Sequence, residues 1–233
     1  MTSIPLSSQP GALTPGSWLH NPATGEIARL ASADPDGRRL EVDLWLQPGA
    51  AVARAHVHDL FIERFEVREG EVGFQVDGEE RAVEAGSGVV EVPAGVSHDW
   101  WNAGEGVSLV RVEVEATETA TGRPAERFAS MIEALWSLGA QGRVNAQGLP
   151  DPLWLAAIAR EYRDAIRFTK PPAAIQTALF TPLAAIAKRT GRDPLAPELH
   201  GTTAACAIPD PGDEGLAKLL SKGVGARAAR RGE

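Results

Sequence analysis

The chain has 233 residues, of which 43% are hydrophobic, and a formal net charge of −8, so it is long enough for one domain with an extension. A single cysteine, Cys206, excludes an intramolecular disulfide framework, and no stretch approaches the roughly 20 apolar residues of a membrane span. Residues 1–17 lack the basic segment and apolar run that are typical of a signal peptide. We therefore expect a cytoplasmic protein with no membrane contact.

The acidic charge is concentrated in the first half of the chain. Residues 1–124 carry 20 acidic and 9 basic side chains, a net charge of −11, whereas residues 125–233 carry a net charge of +3. This balance disfavours nucleic acid as a partner of the first half. The opposite charges either help the second half to dock on the first, in the same or another protomer, or are ordinary solvated surface.

Short segments in which apolar and polar residues alternate run through the first half. Alternation with a period of two predicts strands with one buried face, and turn residues such as Asp77-Gly78 separate them. Many short strands with turns between them indicate a barrel or sandwich. The predicted strands fall within residues 40–46, 61–67, 72–76, 83–92 and 110–114.

The apolar period changes to that of a helix after Gly122. Asp151-Pro152 predicts an N-cap followed by proline in the first helical position, and Pro182 should kink the third helix. The predicted helices span residues 124–138, 151–168 and 173–189, followed by a loop at 192–212, a short helix at 214–221 and a disordered basic tail after Gly225.

The helical half shows no strong functional motif. Arg160, Arg163, Arg167 and Lys170 form a basic stripe on the second helix, which we interpret as a solvated face rather than an anion site. A helix-turn-helix regulator is disfavoured because the third helix contains a central proline and no basic recognition face. His20 and His200 fall in loop-like segments, and we expect both on the surface.

Three of the five histidines form a pattern that points to a metal. His56 and His58 are two residues apart, so on a strand both imidazoles point to the same face. Glu63 and His98 can add a carboxylate and a third imidazole, which would complete a nitrogen and oxygen shell of the kind that binds first-row divalent metals.

Residue parity supports a role for Glu63. On a strand it shares a face with Phe61, Phe65 and Val67, and a carboxylate among apolar side chains is costly unless something pairs with it or binds it. Because His56 and His58 are even-numbered and Glu63 is odd, a turn or bulge near residues 59–60 must bring all three inward.

These residues resemble the two motifs of the cupin superfamily. The first motif is represented by Gly49, His56-Val57-His58, Glu63 and Gly70, and the second by Gly86, Pro93 to His98 and Asn102. Two spacings depart from the usual form: Gly49 lies one residue further from His56, and six residues rather than five separate Gly86 from Pro93. Neither departure touches a proposed ligand.

The resemblance covers about residues 20–118 and implies the fold and the ligands. The fold is expected to be mainly β, a cupin double-stranded β-helix (jelly-roll) barrel followed by a C-terminal all-α extension of about three helices. The corresponding division is an N-terminal arm (1–19), the barrel (20–120), the helical extension (121–191) and a loop, short helix and tail (192–233). The implied metal ligands are His56, His58, Glu63 and His98, and a homodimer is expected.

A substrate pocket is expected inside the barrel, close to the metal. The apolar candidates for its wall favour an uncharged or aromatic small molecule, although small barrels need the same residues for their core. An inward arginine could bind a carboxylate or enolate in bidentate fashion. The candidate pocket residues are Phe61, Phe65, Phe74, Trp100, Arg54 and Arg111.

Four protein ligands leave one or two positions open on a five- or six-coordinate ion, which is typical of a catalytic site. The donor set suits Fe(II), which we favour, as well as Mn, Ni or Zn. Three functions remain open: an oxygenase, which we rank first, a non-redox isomerase or cyclase that uses the ion as a Lewis acid, and a regulatory cupin that binds a small molecule without catalysis. No catalytic residue is identified beyond the ligands.

Overall fold

The computed structural model describes residues 12–145, 148–170 and 172–222, without the side chains of residues 52–54 and 173. The predicted disordered tail after Gly225, most of the predicted N-terminal arm and the side chain of Arg54 lie outside the described part.

The first half of the chain and two short strands from the second half form two facing antiparallel sheets. In the larger sheet the strands lie in the order β12-β1-β2-β3-β10-β5-β8, and in the smaller one in the order β11-β4-β9-β6-β7. The strands are β1 (Trp18–Asn21), β2 (Glu26–Ala33), β3 (Arg39–Leu46), β4 (Ala51–Val57), β5 (Phe61–Glu69), β6 (Glu71–Val76), β7 (Glu79–Glu84), β8 (Val89–Val92), β9 (His98–Asn102), β10 (Ser108–Ala116), β11 (Arg167–Phe168) and β12 (Ala207–Ile208).

The hydrophobic core lies between the sheets and follows the predicted alternation. In β5 the buried positions are Phe61, Glu63, Phe65 and Val67, while their neighbours are partly exposed. β9 and β10 alternate in the same way. The jelly-roll fold and its helical extension are therefore confirmed, with the register that the alternating pattern predicts.

Four helices follow or flank the later strands: α1 (Pro124–Ala140), α2 (Pro152–Glu161), α3 (Ala173–Arg189) and α4 (Gly212–Ser221). α1 packs between the barrel and α2, with Trp136 in the barrel core and Met131 in a second core. The predicted cap of α2 is confirmed, because the Asp151 side chain accepts hydrogen bonds from the backbone N–H groups of Leu153 and Trp154.

The predicted length of α2 is wrong. The helix ends at Glu161 rather than at residue 168, although its sequence contains no glycine or proline there. The fully buried Tyr162 fixes the turn, and the chain then extends as β11 beside β4. Pairing with an open sheet edge overrides the helical propensity of this segment.

The loop prediction for residues 192–212 is also only partly correct. Ala207–Ile208 form β12, which pairs with Trp18 and Leu19 of β1. His200 is buried rather than on the surface, and its Nε2 lies 2.7 Å from the carbonyl oxygen of Pro194. His20 lies in β1 and not in a loop.

α3 leaves a row of large apolar side chains exposed. Ile175, Leu179 and Ile186 are each about half exposed, while Ala184 and Ala187 face the inside. Within the described ranges, no helix is both long and apolar enough to cross a membrane.

Glu26 is a buried carboxyl group at the start of β2. It accepts a hydrogen bond from the Asn21 side chain (3.0 Å) and another from the Thr24 hydroxyl. Burial raises the pKa of Glu26 to about 7, because these two hydrogen bonds only partly offset the loss of solvent.

Replacing Glu26 with glutamine should therefore change how stability depends on pH. The unfolded chain ionises Glu26 above about pH 4.5, whereas the folded chain keeps the proton up to about pH 7, so native stability falls as the pH rises between these values. The Glu26→Gln variant has no ionisable group at this position, so its stability does not fall for this reason. Its free energy of unfolding, relative to that of the unaltered chain, should rise by on the order of 3 kcal/mol between about pH 4 and pH 8.

Urea denaturation at both pH values measures this difference. Glu105→Gln removes the same charge from an exposed position and should show no comparable trend. A constant difference between Glu26→Gln and the unaltered chain would contradict the assignment.

Candidate metal centre

The four predicted ligands come from both sheets and meet inside the barrel. His56 lies in β4 and is the direct cross-strand partner of His98 in β9. Glu63 lies in β5, on the opposite sheet, and His58 follows the end of β4. The bend at residues 59–60 lets the even-numbered histidines and the odd-numbered Glu63 face the same interior, as the parity argument requires.

The second motif is tied to the first through the backbone. Gly95 adopts a φ of 82°, a conformation that favours glycine, and its N–H donates to the carbonyl oxygen of His58 at 2.8 Å. The turn that precedes His98 is thus held against the segment that carries His58. This contact gives the glycine of the Pro-Ala-Gly sequence a physical role.

The ligand groups are close together and shielded from solvent. His56, His58, Glu63 and His98 are each at most 4% exposed, and one ligand atom from each lies within 4.8 Å of all the others. The Glu63 Oε2 atom is 2.8 Å from His98 Nε2 and 3.2 Å from His58 Nε2.

The second ring nitrogen of two histidines points at backbone carbonyl groups. His58 Nδ1 lies 2.5 Å from the Ala165 oxygen, and His98 Nδ1 lies 3.2 Å from the Val96 oxygen. A proton on each Nδ1 can donate to these acceptors, which leaves the Nε2 lone pairs directed at Glu63 and the centre of the cluster. This is the tautomer that a histidine needs in order to bind a metal through Nε2.

The charges within the cluster favour an ionised carboxylate. Burial by itself would raise the pKa of Glu63, but the facing imidazoles of His58 and His98 outweigh it and hold the pKa well below its usual range. For His98, burial would lower the pKa, but the Glu63 carboxylate outweighs it and raises the pKa.

Two observations indicate that these residues fit a metal ion: the chemistry of their donor atoms, and three buried donor atoms that lack hydrogen bonds within the described residues. His58 Nε2, Glu63 Oε2 and His98 Nε2 are buried, and none has a partner in hydrogen-bond geometry within the described chain. Buried polar atoms without such bonds are costly, and a shared cation satisfies them all. The 4.8 Å spread is slightly wider than the roughly 4.2 Å between opposite ligands of an ion bound at about 2.1 Å, so small side-chain movements suffice.

The predicted aromatic pocket residues pack next to this cluster, Phe61 and Phe65 against ligand rings and the other two against Phe65. Phe61 stacks on His58 with ring centroids 4.3 Å apart, and Phe65 lies 4.9 Å from Trp100 and 5.3 Å from Phe74. All four aromatic side chains are buried. They form the apolar wall next to the ligands, and contact with a substrate stays a prediction.

The inward orientation considered for Arg111 is wrong. The buried side chains of β10 are Val110, Val112 and Val114, so Arg111 lies on the opposite face of the sheet. There its guanidinium group donates to Asp43 (2.5 Å) and Glu41 (3.1 Å). The side chain of Arg54 lies outside the described residues, so its predicted place in the pocket is untested.

Two groups from the helical extension reach the cluster, and the sequence did not identify either. The first is the carbonyl group of Ala165. Because every residue has a backbone carbonyl group, the residue type at this position gives no indication of the contact. The second is Phe128 of α1, whose ring lies 5.4 Å from the rings of both His58 and Phe61. The position of Phe128 on the apolar face of a helix predicts that its side chain is buried, but it does not predict which residues the ring contacts.

A comparison with known proteins agrees with this architecture. A family model described as a cupin domain matches residues 44–114, which contain all four ligands. No curated protein sequence matches the chain at a significant level.

Similar solved structures include an RmlC-like cupin from Shewanella frigidimarina, with 19% identity, a TM-score of 0.38 and coverage of 48% of this chain and 95% of that chain. A predicted oxalate decarboxylase from Thermotoga maritima has 23% identity, a TM-score of 0.37 and coverage of 45% and 94%. The Cnp3 cupin domain of Schizosaccharomyces pombe has 14% identity and a TM-score of 0.36; the match covers 40% of this chain and 65% of that one.

The double-sheet barrel, the two motifs and the family match identify residues 44–114 as a cupin domain. Its cluster of three histidines and one glutamate can hold a metal ion. The structural similarities are confined to less than half of the chain and say nothing about its substrate.

Asn102, the last residue of the second motif, has a structural role that can be tested. Its buried side chain donates to the carbonyl oxygens of Leu46 (2.9 Å) and Gly106 (2.8 Å) and accepts from the N–H of Gly104 (2.9 Å). Asn102→Ala should lower the free energy of unfolding by about 2–3 kcal/mol, because the mutation leaves buried backbone groups unpaired.

Metal content should be unchanged in the folded Asn102→Ala variant, since Asn102 is not a ligand. Asn145→Ala is the matched control, because the exposed Asn145 side chain accepts a hydrogen bond from the Leu149 N–H. Denaturant titration should give a much smaller loss for the control. Equal losses for the two variants would contradict the role of Asn102.

Proposed function

We propose that this protein is a metal-dependent enzyme, a non-haem oxygenase that acts on a small, largely apolar organic molecule. The observation that supports this most is the buried convergence of His56, His58, Glu63 and His98 on one point. Fe(II) is the favoured ion because the ligands are imidazoles and a carboxylate without a thiolate. The substrate class and the homodimer are parts of the same proposal.

The protein's own groups have distinct tasks in this proposal. His58 and His98 present Nε2 lone pairs because their Nδ1 atoms face backbone carbonyl groups. Glu63 contributes a negative charge that balances the ion, and its low pKa keeps it ionised at neutral pH. When bound, the ion would supply redox chemistry and a Lewis acid for an oxygen atom of the substrate.

The apolar side chains beside the ligands determine which molecules can reach the metal centre. Phe61, Phe65 and Trp100 are buried beside the ligands, and they exclude water from that side of the centre. An environment with few water molecules strengthens the electrostatic interactions between ligands, ion and substrate. It also favours an uncharged or aromatic substrate over a phosphorylated one.

Metal analysis tests the first part of the proposal. Protein purified without chelators or an affinity tag should contain about one divalent transition metal ion per chain. The His56→Ala, His98→Ala double mutant should lose it, since mutating a group that only hydrogen-bonds to a ligand already costs about 10–100-fold in affinity, and this mutant lacks two direct ligands.

The control for this measurement is His20→Ala, which removes an imidazole from β1, outside the cluster. It should retain the ion. Circular dichroism should show that the double mutant keeps its β structure, because the barrel has its own hydrophobic core. Stoichiometric metal in the folded double mutant would contradict the ligand assignment.

Oxygen consumption tests the second part. Protein loaded with Fe(II) should consume dioxygen when a panel of small aromatic and 1,3-dicarbonyl compounds is added, and the His56→Ala, His98→Ala variant should not. Metal-dependent turnover that is unchanged under argon would contradict the oxygenase and indicate Lewis-acid isomerase or cyclase chemistry. Ligand binding without any turnover would indicate a regulatory cupin.

A further inference from the structure

The segment Ala165–Thr169, which we name the strap, runs from the end of the α2 turn along the edge of the smaller sheet. Its two central residues form β11 and pair with the ligand strand β4, Arg167 opposite Val57 and Phe168 opposite His56. The backbone N–H and the hydroxyl of Thr169 both donate to the carbonyl oxygen of Ala55, at 3.2 and 3.1 Å. The helical extension therefore adds a strand directly beside two proposed ligands.

The strap also contacts a ligand side chain. The Ala165 carbonyl oxygen lies 2.5 Å from His58 Nδ1, and the two residues are 107 positions apart in the sequence. Ala165 is 1% exposed and belongs to the second core together with Tyr162 and Leu199. The packing of the helical extension therefore helps to set the position of this carbonyl group.

Further contacts hold the strap in place through the two residues of β11. Arg167 makes a two-pronged ion pair with Asp59, at 2.9 and 3.1 Å, just after His58. In addition, the Gln176 side chain of α3 donates to the carbonyl oxygen of Phe168 at 2.7 Å. The ion pair is solvent-exposed and contributes little by itself, so the buried Ala165 contact and the strand pairing dominate.

We infer that the strap is a positioning element of the metal centre, so that metal binding and docking of the strap strengthen each other. This inference rests on the proposed metal-dependent function. An ion held at Nε2 would polarise the ring of His58 and would strengthen the hydrogen bond from Nδ1 to Ala165. Conversely, the Ala165 carbonyl fixes the tautomer and the ring orientation that the ion requires. Such coupling is reciprocal by thermodynamic necessity.

Hydrogen exchange of the unaltered protein tests the coupling without any mutation. Co(II), added to protein stripped of metal, should slow exchange of the Thr169 amide about tenfold, which is the lower end of the range by which groups that hydrogen-bond to a ligand affect metal affinity. The amides of α4 serve as an internal control and should be unaffected. Equal exchange of Thr169 with and without bound Co(II) would overturn the inference.

Two variants of Thr169 test whether docking of the strap affects metal binding. Thr169→Pro removes both hydrogen bonds to Ala55, whereas Thr169→Val removes only the one from the hydroxyl. Thr169→Pro should weaken Co(II) binding about tenfold in a chelator competition and should shift the visible absorption bands of the bound ion. Thr169→Val should weaken Co(II) binding less and should shift the absorption bands less. A shifted spectrum would not follow from a general loss of stability.

The outcomes separate this inference from the proposed function. If the unaltered chain binds no Co(II), Fe(II) or Zn(II), the proposed function fails and the inference fails with it. If the unaltered chain binds Co(II), but the folded Thr169→Pro variant binds it equally well with the same spectrum, only the inference fails. If Thr169→Pro does not fold, the hydrogen-exchange comparison decides.

Discussion

The buried carboxylate of Glu63 is the constraint on which the rest of this structure depends. It is carried by a strand whose other inward residues are apolar, and its Oε2 faces two imidazole nitrogens at 2.8 and 3.2 Å. A charge in such surroundings is tolerable only with a compensating cation or protonated partners. The β4–β9 pairing, the bend after His58 and the Gly95 turn all bring such partners to it.

The helical extension participates in this arrangement. Phe128 of α1 covers the ring of His58, and the Ala165 carbonyl accepts a hydrogen bond from that ring. Arg127 further links α1 to the end of α2 through Glu161, and to the turn that follows through Asp164. The environment of one ligand is therefore assembled from segments that are far apart in the sequence.

The barrel and its ligands could be predicted from the sequence because both follow side-chain periodicity. The parity of Phe61, Glu63 and Phe65 fixed which face of β5 is buried, and the motif spacing identified His56, His58 and His98. The strap could not be predicted, since a strand of two residues shows no period and a backbone acceptor such as Ala165 has no residue-type signature. His200 was misplaced because its partners, Glu133 and the Pro194 carbonyl, come from tertiary packing.

The two short strands of the C-terminal third affect whether the barrel can be separated from the rest of the chain. β11 covers one edge of the smaller sheet, and β12 covers one edge of the larger sheet. A protein cut after the matched region, residues 44–114, would expose rows of unpaired N–H and C=O groups at both places, which is the usual origin of edge-to-edge aggregation. The C-terminal third of the chain is therefore part of the walls of this barrel and not an appendage to it.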